Sequence, residues 1–473
     1  MRWLRQFSFP LLLFSVAWVA RLLPVLLTRS LGIGLDDMFQ YDMLGRSLAS
    51  GNGFRWYALS DFNLIQRLIP LDLSGVEYDP RGVLTSFRAP LYPAFLALIY
   101  AIAGIGEGRF FAARLVQSFL AAFLPILTWA LGRRLFEERI ARRAAWIVAF
   151  YPMLIAFPLA LATENLFFLL VTLSVLLLVR LEQRPSWSGA VALGLAFGLA
   201  ALTRSVVLLM AAAALLWLIL ERRLLRHAIL AGLTLALTIL PWVVRNSLLH
   251  HRPTGIETSL GYNLYVGYHP QSDGTFTFGP SLDLLTIVDD AERDRLGTQQ
   301  ALGFIRQSPG RAFFLVFSRL GHFFDPEWRA FTYFYANGIL GPLPPLLLIL
   351  IYLLLALPWM SLAIAGIWGW AFLPNDSEKR LFAYLFLGYL LPHILILSEE
   401  RFHLTLIPLF SVLAAHVWTR GRAPRPQAKR GAFYFAALAT FFLVIYWAVK
   451  IAQFWPLFMR LIAPGGHDLR LPY

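Results

Sequence analysis

The stretch GLDDMFQYDMLGRSLASGNGF, residues 34–54, decides how the rest of the chain is read. It sets two adjacent carboxylates, Asp36 and Asp37, just beyond an apolar run over residues 7–28. That run is long enough to span hydrocarbon, which takes about 20 apolar residues. Ionisable groups at a membrane edge are costly and need a partner or a purpose. The plainest purpose is a helix cap, because an Asp before MFQYDMLGRSLAS accepts the first free backbone N–H groups. A capping carboxylate can also accept a proton from a substrate hydroxyl.

Working outward, the chain is 58% hydrophobic and 14% charged, where soluble domains are about one quarter charged. Apolar runs recur along all 473 residues, so the expected class is an all-α polytopic integral membrane protein, not a soluble enzyme with one anchor. Residues 1–6 resemble the basic start of a signal peptide, but no small-residue cleavage site follows, so the first helix is read as retained. The net charge of +14 comes almost wholly from arginine. In a membrane chain this reads as positive-inside loops, not as a nucleic-acid footprint. With no cysteine, disulfides and thiolate chemistry are excluded.

Arg2 and Arg5 put the N-terminus in the cytoplasm by the charge rule, and residues 29–109 then form an external loop. The loop RRLFEERIARR, with Arg133, Arg134, Arg139, Arg142 and Arg143, is the strongest basic loop and belongs inside. Residues 110–131 therefore run inward, and parity requires that 90–105 does not cross but lies along the outer leaflet as a juxtamembrane helix. Further crossings are expected at 143–160, 166–181, 187–203, 205–220, 227–243, 345–372, 381–397, 402–418 and 432–450, giving about eleven in all by the length rule. Residues 1–418 form the membrane domain, with a second external loop at 244–340. Residues 419–430 make a basic, Pro-rich cytoplasmic linker, and 431–473 the last span and tail.

Several polar groups fall at the predicted outer ends of spans. Glu164, in ATENLFFLL, should lie at the depth of Asp37. Its structural reading is a favourable acid in the first helical turn; its chemical reading is a second carboxylate in one acceptor-binding or metal site. Arg88, Arg204, Arg245 and Arg401 form an outer set that runs against the cytoplasmic bias, and guanidinium forks match phosphate oxygens. Arg21, inside the first span, reads as a snorkelling side chain. His403 follows SEERF and joins the candidate anion set, although a lone histidine is more often structural.

These elements resemble the GT-C superfamily of polyprenyl-phosphate-sugar-dependent glycosyltransferases, in the protein mannosyltransferase and aminoarabinose transferase branch. Asp37, Tyr41, Gly45, Leu48, Gly51, Gly53 and Phe54 follow the first-loop pattern D-x-x-x-Y-x-x-x-A-x-x-L-x-x-G-x-G-F, with Gly45 in place of alanine. Arg88-Ala89-Pro90, Gly132-Arg133-Arg134-Leu135-Phe136, Tyr151-Pro152, Thr163-Glu164-Asn165, Leu202-Thr203-Arg204, Pro241-Trp242-Val243-Val244-Arg245-Asn246 and Arg401-Phe402-His403-Leu404 continue it in order. The resemblance implies a catalytic Asp37, with Glu164 as the second acid and Asp36 beside it, and donor phosphate held among Arg88, Arg204, Arg245, Arg401 and His403. It implies a multi-pass protein of the cytoplasmic membrane with its site facing the exterior. There a sugar would pass from a polyprenyl-phosphate carrier to an envelope lipid, glycan or protein, with inversion at the anomeric carbon as the family expectation. The acids are too few to call for a particular cofactor, and a divalent metal stays open, favoured by a pyrophosphate leaving group. A lipid or solute transporter is the alternative, but transporters often carry paired repeats around a midplane site, and no such repeat is evident here.

Overall fold

The structure is a computed structural model, and it describes residues 2–74, 76–374, 376–419 and 430–471. The linker expected at 419–430 lies, from residue 420 to 429, outside the described residues. The described chain is almost wholly helical, with one two-residue antiparallel ribbon pairing Arg55–Trp56 with Val83–Leu84.

Among the described residues seven helices are long and apolar enough to cross a membrane, from Phe9–Leu27 to Arg430–Ile462. An eighth is added if Glu138–Phe150 and Pro152–Leu159, bent by 57°, count as one span. Some of the eleven expected crossings fall outside this set by length, yet Arg204 meets Glu164 and Arg222 meets Glu182, so the two short helices flanking Arg204 join the two ends of Glu164–Gln183. Trp187–Ala201 and Val207–Leu220 have 15 and 14 residues, and at 1.5 Å per residue each covers only about 22 Å of a hydrocarbon core about 30 Å thick. Asp376–Leu395 opens on the polar run DSEKR and falls outside the set. Pro358 lies inside Pro345–Ala371, which stays one 27-residue helix.

Close packing holds the short helices. A Cβ on Gly194 would meet the Ala231 carbonyl at 2.3 Å, and one on Gly198 would meet Thr238 at 2.6 Å. Trp187–Ala201 thus lies backbone to backbone on Leu225–Leu249, the usual device where lipid gives helices no hydrophobic reason to pair. Arg21 does not snorkel. It is fully buried, and its guanidinium donates to the carbonyls of Val148 (3.1 Å) and Ala149 (3.0 Å). The Val148 carbonyl would normally accept from residue 152, but Pro152 has no N–H, so Arg21 supplies the missing donor.

The ends of the helices sort the chain into two faces. Helix Glu164–Gln183 has 20 residues, about 30 Å. At its far end the Gln183 amide donates to the Arg134 carbonyl at 2.9 Å, so the basic loop lies a full helix length from Glu164. Leu91–Ala103 does not leave the Glu164 side. It packs along Asp37–Ala49, where Tyr100 Oη donates to Asp42 (3.1 Å), and the next helix begins with Arg109 on the same Asp42 (2.7 Å). The two long loops close over this face. Asp72 pairs with Ile287 in an isolated bridge, and Asp290 accepts from the Thr85 hydroxyl (2.6 Å) and the Ser86 N–H (2.7 Å).

Candidate functional site

Asp36 and Asp37 differ in what they bond. Asp36 is the N-cap of Asp37–Ala49 and accepts from the Met38 N–H at 2.8 Å. Burial and the neighbouring Asp37 charge push its carboxyl up from the ordinary range. Asp37, in the first turn, turns to the cations. Its Oδ1 meets the Arg88 guanidinium, and its Oδ2 lies 3.3 Å from Arg401 Nη2. Burial alone would raise the Asp37 carboxyl, but Arg88, Arg401 and Arg204 outweigh it and hold the group at about 2.

Each partner is fixed from its own element. Arg88 precedes Leu91–Ala103, whose first N–H donates to the Leu202 carbonyl at 2.9 Å and so brings Arg88 towards Arg204. Arg88 Nε donates to Gln40 Oε1 at 2.8 Å, and its guanidinium lies over the Tyr41 and Phe87 rings. Glu164 opens its helix, accepts from the Thr163 hydroxyl at 3.0 Å and pairs with Arg204. Arg401 joins the two halves. Its Nε lies 2.7 Å from Glu399 Oε2 and 3.9 Å from Glu164 Oε1, while Nη2 reaches Asp37.

Three carboxylates thus alternate with three guanidiniums, drawn from five separate parts of the chain. Their exposures differ in a way that matters: the Asp37 side chain is 34% exposed and Arg401 30%, whereas Glu164 is 4% exposed. A ligand can reach Asp37 and Arg401 directly; Glu164 acts from behind, through the arginines. Among the described residues no three His, Asp or Glu side chains gather as a metal-holding set.

Two candidate residues stand apart from this array. Arg245 donates to the Thr85 carbonyl (2.5 Å) and to Asn246 Oδ1 (3.0 Å), beneath the Trp242 ring, and so braces the first loop. His403 is fully buried. Its Nδ1 faces the Phe323 carbonyl at 2.9 Å and so donates, Nε2 lies 2.8 Å from Glu327 Oε1, and the ring stacks on Trp359 at 3.6 Å. Tyr151 Oη donates to the same Glu327 oxygen at 2.6 Å. His403 therefore belongs to a sealed cluster that ties three helical segments together.

The structure adds Gln40, Glu399 and Glu327 to the residues singled out by sequence. Gln40 carries a usable signal, since it sits one helical turn after Asp37. Glu399 adjoins Arg401 in SEERF, but Glu327 in FFDPEW has no local mark of a membrane-buried partner.

Residues 87–244 match the family described as dolichyl-phosphate-mannose-protein mannosyltransferase. No curated protein sequence matches the chain. Among solved structures, the Archaeoglobus fulgidus oligosaccharyltransferase tethered to an acceptor peptide is similar over 100% of this chain, at 14% identity and a TM-score of 0.51. The chain spans 57% of that protein's length. ArnT from Cupriavidus metallidurans, bound to undecaprenyl phosphate, is similar over 99% of this chain and 74% of its own, at 12% identity and a TM-score of 0.50. The chain therefore has the GT-C membrane fold, and the segment that matches the mannosyltransferase family runs from Phe87 through Arg88, Glu164 and Arg204.

Proposed function

We propose that the protein is a GT-C glycosyltransferase that moves one hexosyl or pentosyl unit from a polyprenyl-phosphate carrier to an acceptor hydroxyl on the non-cytoplasmic face. The observation that carries this reading is Arg401, a single guanidinium shared by Asp37, Glu164 and Glu399 beside Arg88 and Arg204. In the reaction the acceptor oxygen bonds to the anomeric carbon as the bond from that carbon to the phosphate oxygen breaks. The configuration inverts. Asp37 orients the hydroxyl and takes its proton. The departing polyprenyl phosphate gains one negative charge, which Arg88, Arg401 and Arg204 offset.

The resting array explains how Asp37 becomes able to act. With Arg88 and Arg401 on its two oxygens it is a weak base, at about 2. A donor phosphate draws those guanidiniums to itself and leaves the carboxylate more basic when the acceptor arrives. The prenyl chain lies between the apolar helices, and Leu91–Ala103, with Leu98 and Ile102 exposed, presents an oily wall to it. The orientation follows from the basic loop Arg133–Arg143, one helix length from Glu164. If it is cytoplasmic, the array faces the exterior of the inner membrane. Undecaprenyl phosphate on the similar ArnT agrees with this donor class.

Mass spectrometry of envelope glycolipids and glycans from a deletion strain tests the reading. A sugar lost on deletion, restored by the wild-type gene and not by Asp37→Asn, is expected. An unchanged glycan and glycolipid profile would contradict it.

A further inference from the structure

Beside the charged array lies a groove of about 940 Å³, at the upper end of the range for ligand pockets. Arg55 and three longer segments build it: residues 76–84 of the first loop, 249–252 at the end of a long helix, and 288–292 at the start of another. Most of its charges are already committed. Asp79 holds Arg81 (2.6 Å), and Asp289 caps its helix through the Ala291 and Glu292 N–H groups. Asp290 holds Thr85 and Ser86, while Glu292 pairs with Arg295.

Three polar side chains on the lining are not so committed. Glu77, His251 and Arg252 make no side-chain hydrogen bond or ion pair. His251 has φ of 52° because it closes the helix in the usual left-handed cap, its N–H on the Leu248 carbonyl and the Arg252 N–H on the Ser247 carbonyl. Tyr78, half-buried, offers a ring face beside them. A free carboxylate, a free guanidinium, an imidazole and an aromatic face suit a ligand rich in hydroxyls that both donate and accept. They suit a phosphate or an acyl chain poorly.

The groove connects to the array through one short segment. Val83 and Leu84 line it, Ser86 Oγ bonds His250 Nε2 on its floor at 2.6 Å, and Arg88, two residues on, holds Asp37. Two residues reach no further than about 7 Å along the chain. A molecule seated in the groove thus lies only a few residues along this loop from the array.

We propose that this groove binds the carbohydrate part of the acceptor, so that the acceptor is a glycan or glycolipid with a hydrophilic head. This rests on the transferase reading above and names its acceptor class. Photoreactive benzoylphenylalanine in place of Leu84, or of Val76 in a second variant, tests it in intact cells, with adducts read by mass spectrometry of the purified full chain. Adducts carrying hexose or pentose masses are expected. Glu77→Gln with Arg252→Ala should lower their yield by about tenfold or more, the worth of one charge-assisted hydrogen bond. Adducts limited to phospholipid or peptide, or a yield indifferent to both substitutions, would overturn the proposal. Run in an Asp37→Asn background, the capture reads groove occupancy without turnover. The carbohydrate adduct persists there even if Asp37 has no part in transfer, and disappears only if the groove is not the binding site.

Discussion

Arg401 and His403 are two residues apart on one 3-10 segment, Glu400–Leu406, yet they belong to opposite kinds of site. Arg401 is 30% exposed and shared among three carboxylates. His403 is sealed, with Glu327, the Phe323 carbonyl and Trp359 on every side. Both regions place charge at the membrane's edge, where it must be compensated. The difference is replaceability. A phosphate can take over the bonds of Arg401 and Arg88 because solvent already reaches them, whereas nothing can enter the His403 cluster without unpacking helices. Residue type alone does not mark a functional site here; sharing and exposure do.

The largest effect expected is on the exposed side. Asp37→Asn removes the proton acceptor and should lower transfer by on the order of a thousandfold, while thermal stability in detergent stays near wild type. Steady-state kinetics beside a melting curve checks both halves. The sealed side should behave in reverse. Glu327→Ala leaves His403 and the Tyr151 hydroxyl without their partner and should cost about 3–5 kcal/mol of stability, as broken buried pairs do. Loss of activity with an unchanged melting curve would place His403 in the site after all. Arg401→Ala should lower transfer by about a hundredfold, the usual cost of one donor to a developing anion.

Two smaller, pH-dependent effects follow. Asp37 is held low by Arg88, so it is ionised throughout the ordinary range and its contribution is lost only as pH falls through about 2. Arg88→Ala should therefore move the acid limb of kcat/KM upward, to or above the ordinary carboxylate value of about 4. An unmoved limb would detach Arg88 from Asp37. His322, one residue before Phe323 of the sealed cluster, is pulled down by burial but raised on balance by Asp273 and Asp325. A raised folded value gives stability that is present below the unfolded pKa of about 6.5 and lost as pH rises through the folded one. The melting temperature should fall modestly across that window in the wild type, and less in His322→Gln.

Much of the fold was legible because apolar runs and arginine clusters report spans and loops directly. The basic loop at Arg133–Arg143 was enough to keep Leu91–Ala103 on the Asp37 side. The number of crossings was less legible, since 187–201 and 207–220 form helices of only 15 and 14 residues although they join the two ends of Glu164–Gln183. In the site, Asp37, Glu164, Arg88, Arg204 and Arg401 were marked by acids and arginines at helix ends, and they meet. Arg245 and His403 carried the same marks but turn to loop and core partners that sequence does not show. Arg21 looked like a snorkelling side chain because the carbonyl left open by Pro152 lies 127 residues away.

The central claim is that the exposed array, and not the sealed cluster, seats the polyprenyl phosphate. Native mass spectrometry of the purified protein titrated with polyprenyl phosphate tests this most directly. One molecule should bind the wild type and Asp37→Asn alike, with affinity reduced at least about tenfold in the Arg88→Ala, Arg401→Ala double variant, which loses two charge-assisted contacts. Binding unaffected by the double variant would contradict the account.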